Sequence, residues 1–96
     1  MTYQVSYDEN IRDDLKAIGH SQAVRVLKEI DKKLKNGQPS AVGEPLRSPL
    51  TNCRRIRVGS NRVVYRVNEE EKTVLVIAIG PRDDKAVYAM ATPRIT

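Results

Sequence analysis

The stretch CRRIRVGSNRVVYRV, residues 53–67, holds five arginines and no acidic residue, and its pattern predicts a β-hairpin. Two β-prone runs flank Gly59-Ser60, and a two-residue loop that begins with glycine is typical of a type II′ turn. This turn places Arg57 directly opposite Arg62. Because side chains alternate along a strand, this register fixes which side chains share each face of the hairpin. One face is predicted to carry Arg55, Arg57, Arg62 and Val64, and the other Ile56, Val58, Val63 and Tyr65.

The cationic face of this hairpin favours an anionic ligand. Like charges directly opposite each other destabilise a sheet by about 0.2–1 kcal/mol, so an anion is expected between them. The alternative is a solvated surface, because an arginine stem covers apolar surface while its head stays in water. Residues 49–96 carry nine Lys or Arg against five Asp or Glu, whereas residues 1–48 carry eight against seven. Seven of those nine are arginines, which bind phosphate bidentately, so nucleic acid is the expected partner.

Composition limits the class of protein. With 96 residues and 40% apolar content, the chain is expected to form a single domain, residues 1–96. It has no apolar run long enough for a membrane span, and its N-terminus does not resemble a secretory signal, so a cytoplasmic protein without membrane contact is expected. The single cysteine, Cys53, has no ligand partners at zinc spacing. We therefore expect neither a metal nor a cofactor, and interpret Cys53 as a buried apolar residue.

Hydrophobic periodicity along the chain predicts an α+β domain. A strand over residues 2–7 precedes two helices, the first ending at Gly19 and the second beginning at Ser21, with apolar positions Ile11, Leu15 and Ile18, then Val24, Leu27, Ile30 and Leu34. A loop rich in proline and glycine, held to the core by Leu46 and Leu50, leads to the arginine hairpin. A strand over residues 73–79, apolar on both faces, and a short helix follow. The predicted order is β-α-α-β-β-β-(α), with the helical hairpin on one face of a mostly antiparallel, twisted sheet.

The segments PLTNCRRIRVGSNRVVYRV and VIAIGPRDDKAVYAMA resemble the RelE/ParE superfamily of bacterial toxins from toxin–antitoxin systems, and within it the RelE-type mRNA interferases. In that family these segments carry a basic pair on one strand, an arginine on the next, an arginine after the last strand and a tyrosine about six residues later. The resemblance covers nearly the whole chain and implies a RelE-like fold. It assigns the catalytic positions to Arg55, Arg57, Arg62, Arg82 and Tyr88.

The resemblance implies a type II toxin that cleaves mRNA at the ribosomal A site without a metal. Its partners would be a cognate antitoxin, the ribosomal RNA and mRNA. Further RNA contacts are expected from four other basic residues, Arg54, Arg66, Lys32 and Lys33. Well-known RelE-type sites hold lysines at the positions of Arg55 and Arg57, and arginine is a poor general base. A catalytically degenerate RNA-binding homologue therefore stays open, and so does a second branch of the same fold, a ParE-like inhibitor of DNA gyrase.

Overall fold

The structure is a computed structural model that describes residues 2–81 and 86–95. One five-stranded sheet has the order β1-β5-β4-β3-β2, in which β1 runs parallel to β5 and every other neighbouring pair is antiparallel. The predicted α+β class and the mostly antiparallel sheet are confirmed. In chain order the elements are β1 (Gln4–Tyr7), α1 (Ile11–Ile18), α2 (His20–Ile30), β2 (Glu44–Pro45), β3 (Cys53–Val58), β4 (Asn61–Asn68), β5 (Thr73–Pro81) and α3 (Ala86–Arg94).

The arginine hairpin has the predicted register. Strands β3 and β4 pair Val58 with Asn61 and Arg57 with Arg62, and the pairing continues in step to the start of β3. Gly59 has a positive φ of 59°, and Ser60 does not have a positive φ. A type II′ turn requires this combination at its two central residues. The turn therefore sets which side chains share a face, as the sequence predicted.

The two faces of the sheet bury two separate apolar clusters. The larger one lies under α1 and α2 and includes Ile56, Val63 and Tyr65 from the apolar face of the hairpin. The smaller one lies under α3, where Val64 and Cys53 contact Val87 and its neighbours. Because both faces are covered, β5 is buried along most of its length, as its unbroken apolar sequence predicted.

Helix α2 packs through a different stripe from the predicted one. It begins at His20, directly after Gly19 ends α1, and its buried side chains are Val26 and Ile30, followed by Leu34 in the turn after the helix. Val24 and Leu27, expected in the core, are each 37% exposed. The apolar residues of α2 form two overlapping stripes. The stripe that faces the sheet has i, i+4, i+8 spacing and extends into a π-helical turn at Asp31–Lys35. The prediction was therefore correct for the helix and wrong for half of its buried face.

The loop between α2 and β3 is held as predicted and also forms an unpredicted strand. Leu50 is buried and Leu46 packs against the cluster under α3. Between them and α2, Glu44–Pro45 pairs with β3 as the short edge strand β2. Among the described residues, no helix is long and apolar enough to cross a membrane and no group of ligands could hold a metal ion.

Candidate functional site

A cleft of about 620 Å³ opens between α3 and the cationic face of the arginine hairpin. We call it the arginine cleft and define it by Arg55, Arg62, Tyr88, Glu44 and the loop residues 45–50. The floor comes from β3 and β4, one wall from α3 and the other from β2 and the loop that follows it. Three of the five predicted catalytic residues, Arg55, Arg62 and Tyr88, therefore line one cavity.

Arg62 lies on β4 and contacts Tyr88 from α3. Its guanidinium carbon is 5.3 Å from the centroid of the Tyr88 ring, within the range of a cation–π interaction. The Nε and Nη1 atoms of Arg62 are buried, and neither finds a hydrogen-bond partner among the described residues. A buried guanidinium with unpaired N–H groups is costly, since leaving a buried polar group without hydrogen-bond partners costs about 1–3 kcal/mol. These donors are therefore available to an anionic ligand in the cleft.

Arg55 lies beside Arg62 on the neighbouring strand and is partly neutralised. Its Nη2 atom donates to Oε2 of Glu44 at 2.8 Å, and the Arg55 side chain is 13% exposed. The Nη1 atom of Arg55 is buried and finds no hydrogen-bond partner among the described residues. Glu44 is 65% exposed, so this ion pair is weak and a phosphate could replace the carboxylate.

Glu44 is the cleft residue that the sequence interpretation missed. It pairs in register with Arg55 because β2 adds to the free edge of β3. A two-residue strand inside a proline-rich loop has no periodicity from which to predict it. The available signal was Pro45, because a proline within a sheet is confined to edge strands, bulges or strand starts.

Buried apolar side chains pack beneath the arginine cleft. Cys53 and Val64 project from the same sheet face as Arg55 and are buried against α3. Burial raises the pKa of the Cys53 thiol, which keeps it protonated and apolar in character. Cys53 is thus a buried apolar residue, as interpreted from the sequence.

The other two predicted catalytic residues lie differently. Arg57 is exposed and sits opposite Arg62. It lines a neighbouring groove of about 450 Å³ with Glu44 and Lys33. Arg82 lies outside the described residues, but β5 ends at Pro81 and the preceding Gly80 pairs with Arg62. The described chain therefore leaves β5 beside the arginine cleft.

The four predicted RNA-binding residues are spread over the molecule. Arg54 projects to the opposite sheet face, where its guanidinium donates to the Val42 and Gly43 carbonyls at 3.1–3.3 Å. Arg66 is exposed on the cationic face, four residues along β4 from Arg62. Lys32 and Lys33 lie in the π-helical turn that extends α2, where Lys33 is 3.4 Å from Glu29. Of the four, Lys33 lines the same groove as Arg57.

Comparison with known proteins identifies relatives over the whole chain. A family model described as the ParE toxin of type II toxin–antitoxin system, parDE, matches residues 5–86. The chain is 29% identical over 97 residues to the mRNA interferase toxin RelE of Escherichia coli K12, covering 99% of each. A mutant of the E. coli toxin RelE in the free state superposes with a TM-score of 0.78 at 27% identity over all of both chains. The RelBE2 toxin–antitoxin complex of Mycobacterium tuberculosis gives a TM-score of 0.77 at 28% identity, covering 85% of this chain and 100% of that one.

Proposed function

The chain belongs to the ParE toxin family of type II toxin–antitoxin systems and is a RelE-like toxin, and we propose that it is a ribosome-dependent endoribonuclease. It cleaves mRNA at the codon in the ribosomal A site and so inhibits translation. The observation that carries the proposal is that Arg55 and Arg62, two partly buried arginines, have buried N–H donors without partners among the described residues and line one cleft with Tyr88. The likeness to an mRNA interferase supports the same activity.

RNA supplies the nucleophile for this reaction, so the protein needs neither histidine nor metal. The ribose 2′-oxygen attacks the adjacent phosphorus, the bond from phosphorus to the 5′-oxygen breaks, and a 2′,3′-cyclic phosphate and a 5′-hydroxyl result. Arg55 and Arg62 bind the non-bridging phosphate oxygens and stabilise the negative charge that develops in the transition state. Holding the phosphate in the cleft also aligns the 2′-hydroxyl for in-line attack.

The proton of the 2′-hydroxyl leaves without the help of an arginine. Arginine stays protonated at any working pH, so Arg55, Arg57 and Arg62 cannot accept the proton of the 2′-hydroxyl. Water accepts that proton, and the leaving 5′-oxygen is protonated in turn. Arg82, which follows β5, contacts the phosphate on the side of the leaving oxygen. Tyr88 stacks on an unpaired base, as aromatic side chains do in RNA recognition, and its ring already packs on Arg62.

The test is primer extension on ribosomes stalled with an open A-site codon. The wild-type protein should cut within that codon, whereas Arg62→Met and Arg82→Ala should not. Arg12→Met, which removes an exposed arginine of α1 away from the cleft, is the matched control and should cut normally. Free RNA tests whether the ribosome is required. Absence of cleavage by folded wild-type protein on ribosomes would refute the proposal.

The proposed partners follow from the same cationic surface. The solved relatives include a toxin–antitoxin complex, and we infer that this chain likewise binds a cognate antitoxin. An acidic, amphipathic segment that orders on binding would complement the exposed arginine face. Ribosomal RNA and mRNA are the other partners, contacted by Arg57, Arg66, Lys32 and Lys33. Because ribosomes are the site of action, the protein acts in the cytoplasm.

Inhibition of DNA gyrase is the second candidate function. The observation that favours it is the description of the matching family model as a ParE toxin. A gyrase supercoiling assay with the wild-type protein separates the two functions. Inhibition of supercoiling without cleavage of A-site mRNA would establish this alternative, and the arginine cleft would then be a binding surface.

A further inference from the structure

Strand β5 has an edge that β1 covers over only part of its length. Strand β1 pairs with β5 as far as Tyr7 opposite Val76, and Asp8 then donates its backbone N–H to the Val76 carbonyl. Beyond this point β5 continues to Pro81, and no strand from residues 2–81 or 86–95 pairs with it on that side. The Ile77 carbonyl and the Ile79 N–H lie in this buried segment, and such backbone groups require partners.

Side chains from two helices supply those partners. The Ile79 N–H donates to Oδ2 of Asp14 on α1 at 3.0 Å, and the Ile77 carbonyl accepts from Nη1 of Arg94 on α3 at 2.9 Å. Arg94 also binds the Asp14 carboxylate bidentately, with distances of 2.7 and 3.0 Å. Asp14 and Arg94 thus bridge α1, β5 and α3 through one connected set of hydrogen bonds.

This ion pair is largely out of solvent. Asp14 is 5% exposed and the Arg94 side chain 14% exposed. The Asp14 carboxylate raises the pKa of Arg94 by hydrogen bonding, so the guanidinium is charged at every working pH. Removing one partner from such a pair leaves an uncompensated charge, which is far more disruptive than the loss of a surface contact.

Helix α3 is attached to the sheet through few fully buried side chains, and Tyr88 and Met90 pack partly buried against the cluster under α3. It spans nine residues, too few for an isolated helix to be stable in water. Val87 and Ala91 are its fully buried side chains among the described residues. Tyr88 lies one residue after Val87, and its position over Arg62 therefore follows the position of the whole helix.

We propose that the Asp14–Arg94 ion pair positions Tyr88 in the arginine cleft by holding α3 against the open edge of β5. This inference rests on the proposed function for its catalytic consequence, whereas its structural consequence stands independently. Arg94 and Asp14 are positioning residues, because they act through α3 and do not line the cleft. Loss of the pair leaves the sheet folded and lets α3 move, so that Tyr88 no longer stays over Arg62.

Two measurements test the proposal on the full chain with the variants Arg94→Gln, Arg94→Lys and Asp14→Asn. Hydrogen exchange should show amides of α3 exchanging at least about tenfold faster in Arg94→Gln, with β4 unchanged. In protein labelled with 3-fluorotyrosine, the ¹⁹F resonance that is absent in Tyr88→Phe should shift in Arg94→Gln. Arg94→Lys keeps the positive charge. Its α3 exchange rate and its Tyr88 resonance should both lie between those of Arg94→Gln and wild type. Arg12→Gln, which removes an exposed charge from α1, should change neither.

The functional readout is the A-site cleavage rate measured alongside ribosome binding. Arg94→Gln should lower the rate at least about tenfold at unchanged binding, because small displacements of a catalytic group cost large factors in rate. Unchanged α3 exchange and an unchanged Tyr88 resonance would overturn the proposal, as would a mobile α3 with full cleavage. Global unfolding of both Arg94→Gln and Asp14→Asn would also overturn it, since the pair would then hold the whole fold. If wild-type protein does not cleave, the proposed function fails, and the exchange and ¹⁹F results still decide whether the pair holds α3.

Discussion

Replacing Arg62 with methionine should stabilise the free protein while abolishing its activity. Arg62 has two buried N–H atoms without partners among the described residues and sits opposite Arg57. Methionine is a similarly long, unbranched and apolar side chain that can pack against Tyr88. Relief of the two unpaired donors is worth about 1–3 kcal/mol, and relief of the repulsion from Arg57 about 0.2–1 kcal/mol. Loss of the cation–π contact with Tyr88 costs about 1 kcal/mol.

The net effect is a gain of about 1–2 kcal/mol in the free energy of unfolding. For a domain of this size that corresponds to a rise in Tm of about 5–15 °C. Urea denaturation and thermal melts of wild type and Arg62→Met measure it directly. Arg12→Met is the control, because substitution of an exposed residue should stay within about 0.5 kcal/mol.

Added inorganic phosphate provides a second readout for the same variant. A ligand that binds only the folded state raises its stability by RT ln(1 + L/Kd), where L is the free ligand concentration, so phosphate should stabilise wild type and have little effect on Arg62→Met. Equal or lower stability of Arg62→Met in the absence of anions would refute the reasoning, because it would mean that the Arg62 nitrogens are already satisfied in the free protein.

Three further substitutions have defined outcomes. Tyr65→Phe should lower the free energy of unfolding by about 1–2 kcal/mol in urea titrations, because the fully buried hydroxyl donates to the Pro39 carbonyl at 2.8 Å. Glu44→Gln should tighten ribosome binding about two- to fivefold in a filter assay, because the exposed carboxylate no longer competes for Arg55. Glu69→Gln should reduce the loss of stability in acid, measured as the urea midpoint against pH. Hydrogen bonds to the Glu69 carboxylate lower its pKa to about 2, so its contribution is present above pH 4.5 and is lost as the pH falls towards 2.

Each of these predictions has a matched control and a contradicting result. Tyr7→Phe alters a 42% exposed tyrosine and should leave stability nearly unchanged, so equal effects at both tyrosines would exclude a role for the buried hydroxyl. Glu9→Gln removes an exposed carboxylate outside the cleft. It controls for the change in net charge in the experiments on Glu44→Gln and Glu69→Gln. A Glu44→Gln protein that binds normally but cleaves at least about tenfold more slowly would show that this carboxylate takes part in proton transfer. Identical acid profiles for wild type and Glu69→Gln would show that the pKa of Glu69 is the same in the folded and unfolded states.

The α1 and α2 region shows where pattern analysis succeeds and fails. Gly19 separates the two helices as predicted, because a glycine at φ 90° ends a helix by a local conformational preference. Which stripe of α2 is buried is a different kind of question. Val24 and Val26 are equally apolar, and only the sheet that packs against α2 distinguishes them. Local preferences were therefore predictable, whereas the choice between two similar faces was not.

The sequence alone determined that Arg55, Arg57 and Arg62 share one strand face, because turn length and side-chain alternation are local rules that no distant contact overrides here. Only the tertiary structure decided which guanidinium groups are buried and unpaired, because burial depends on α3 and on the edge strand that carries Glu44. It also decided the pairing of Asp14 with Arg94, which lie 80 residues apart and meet because β1 ends before β5 does.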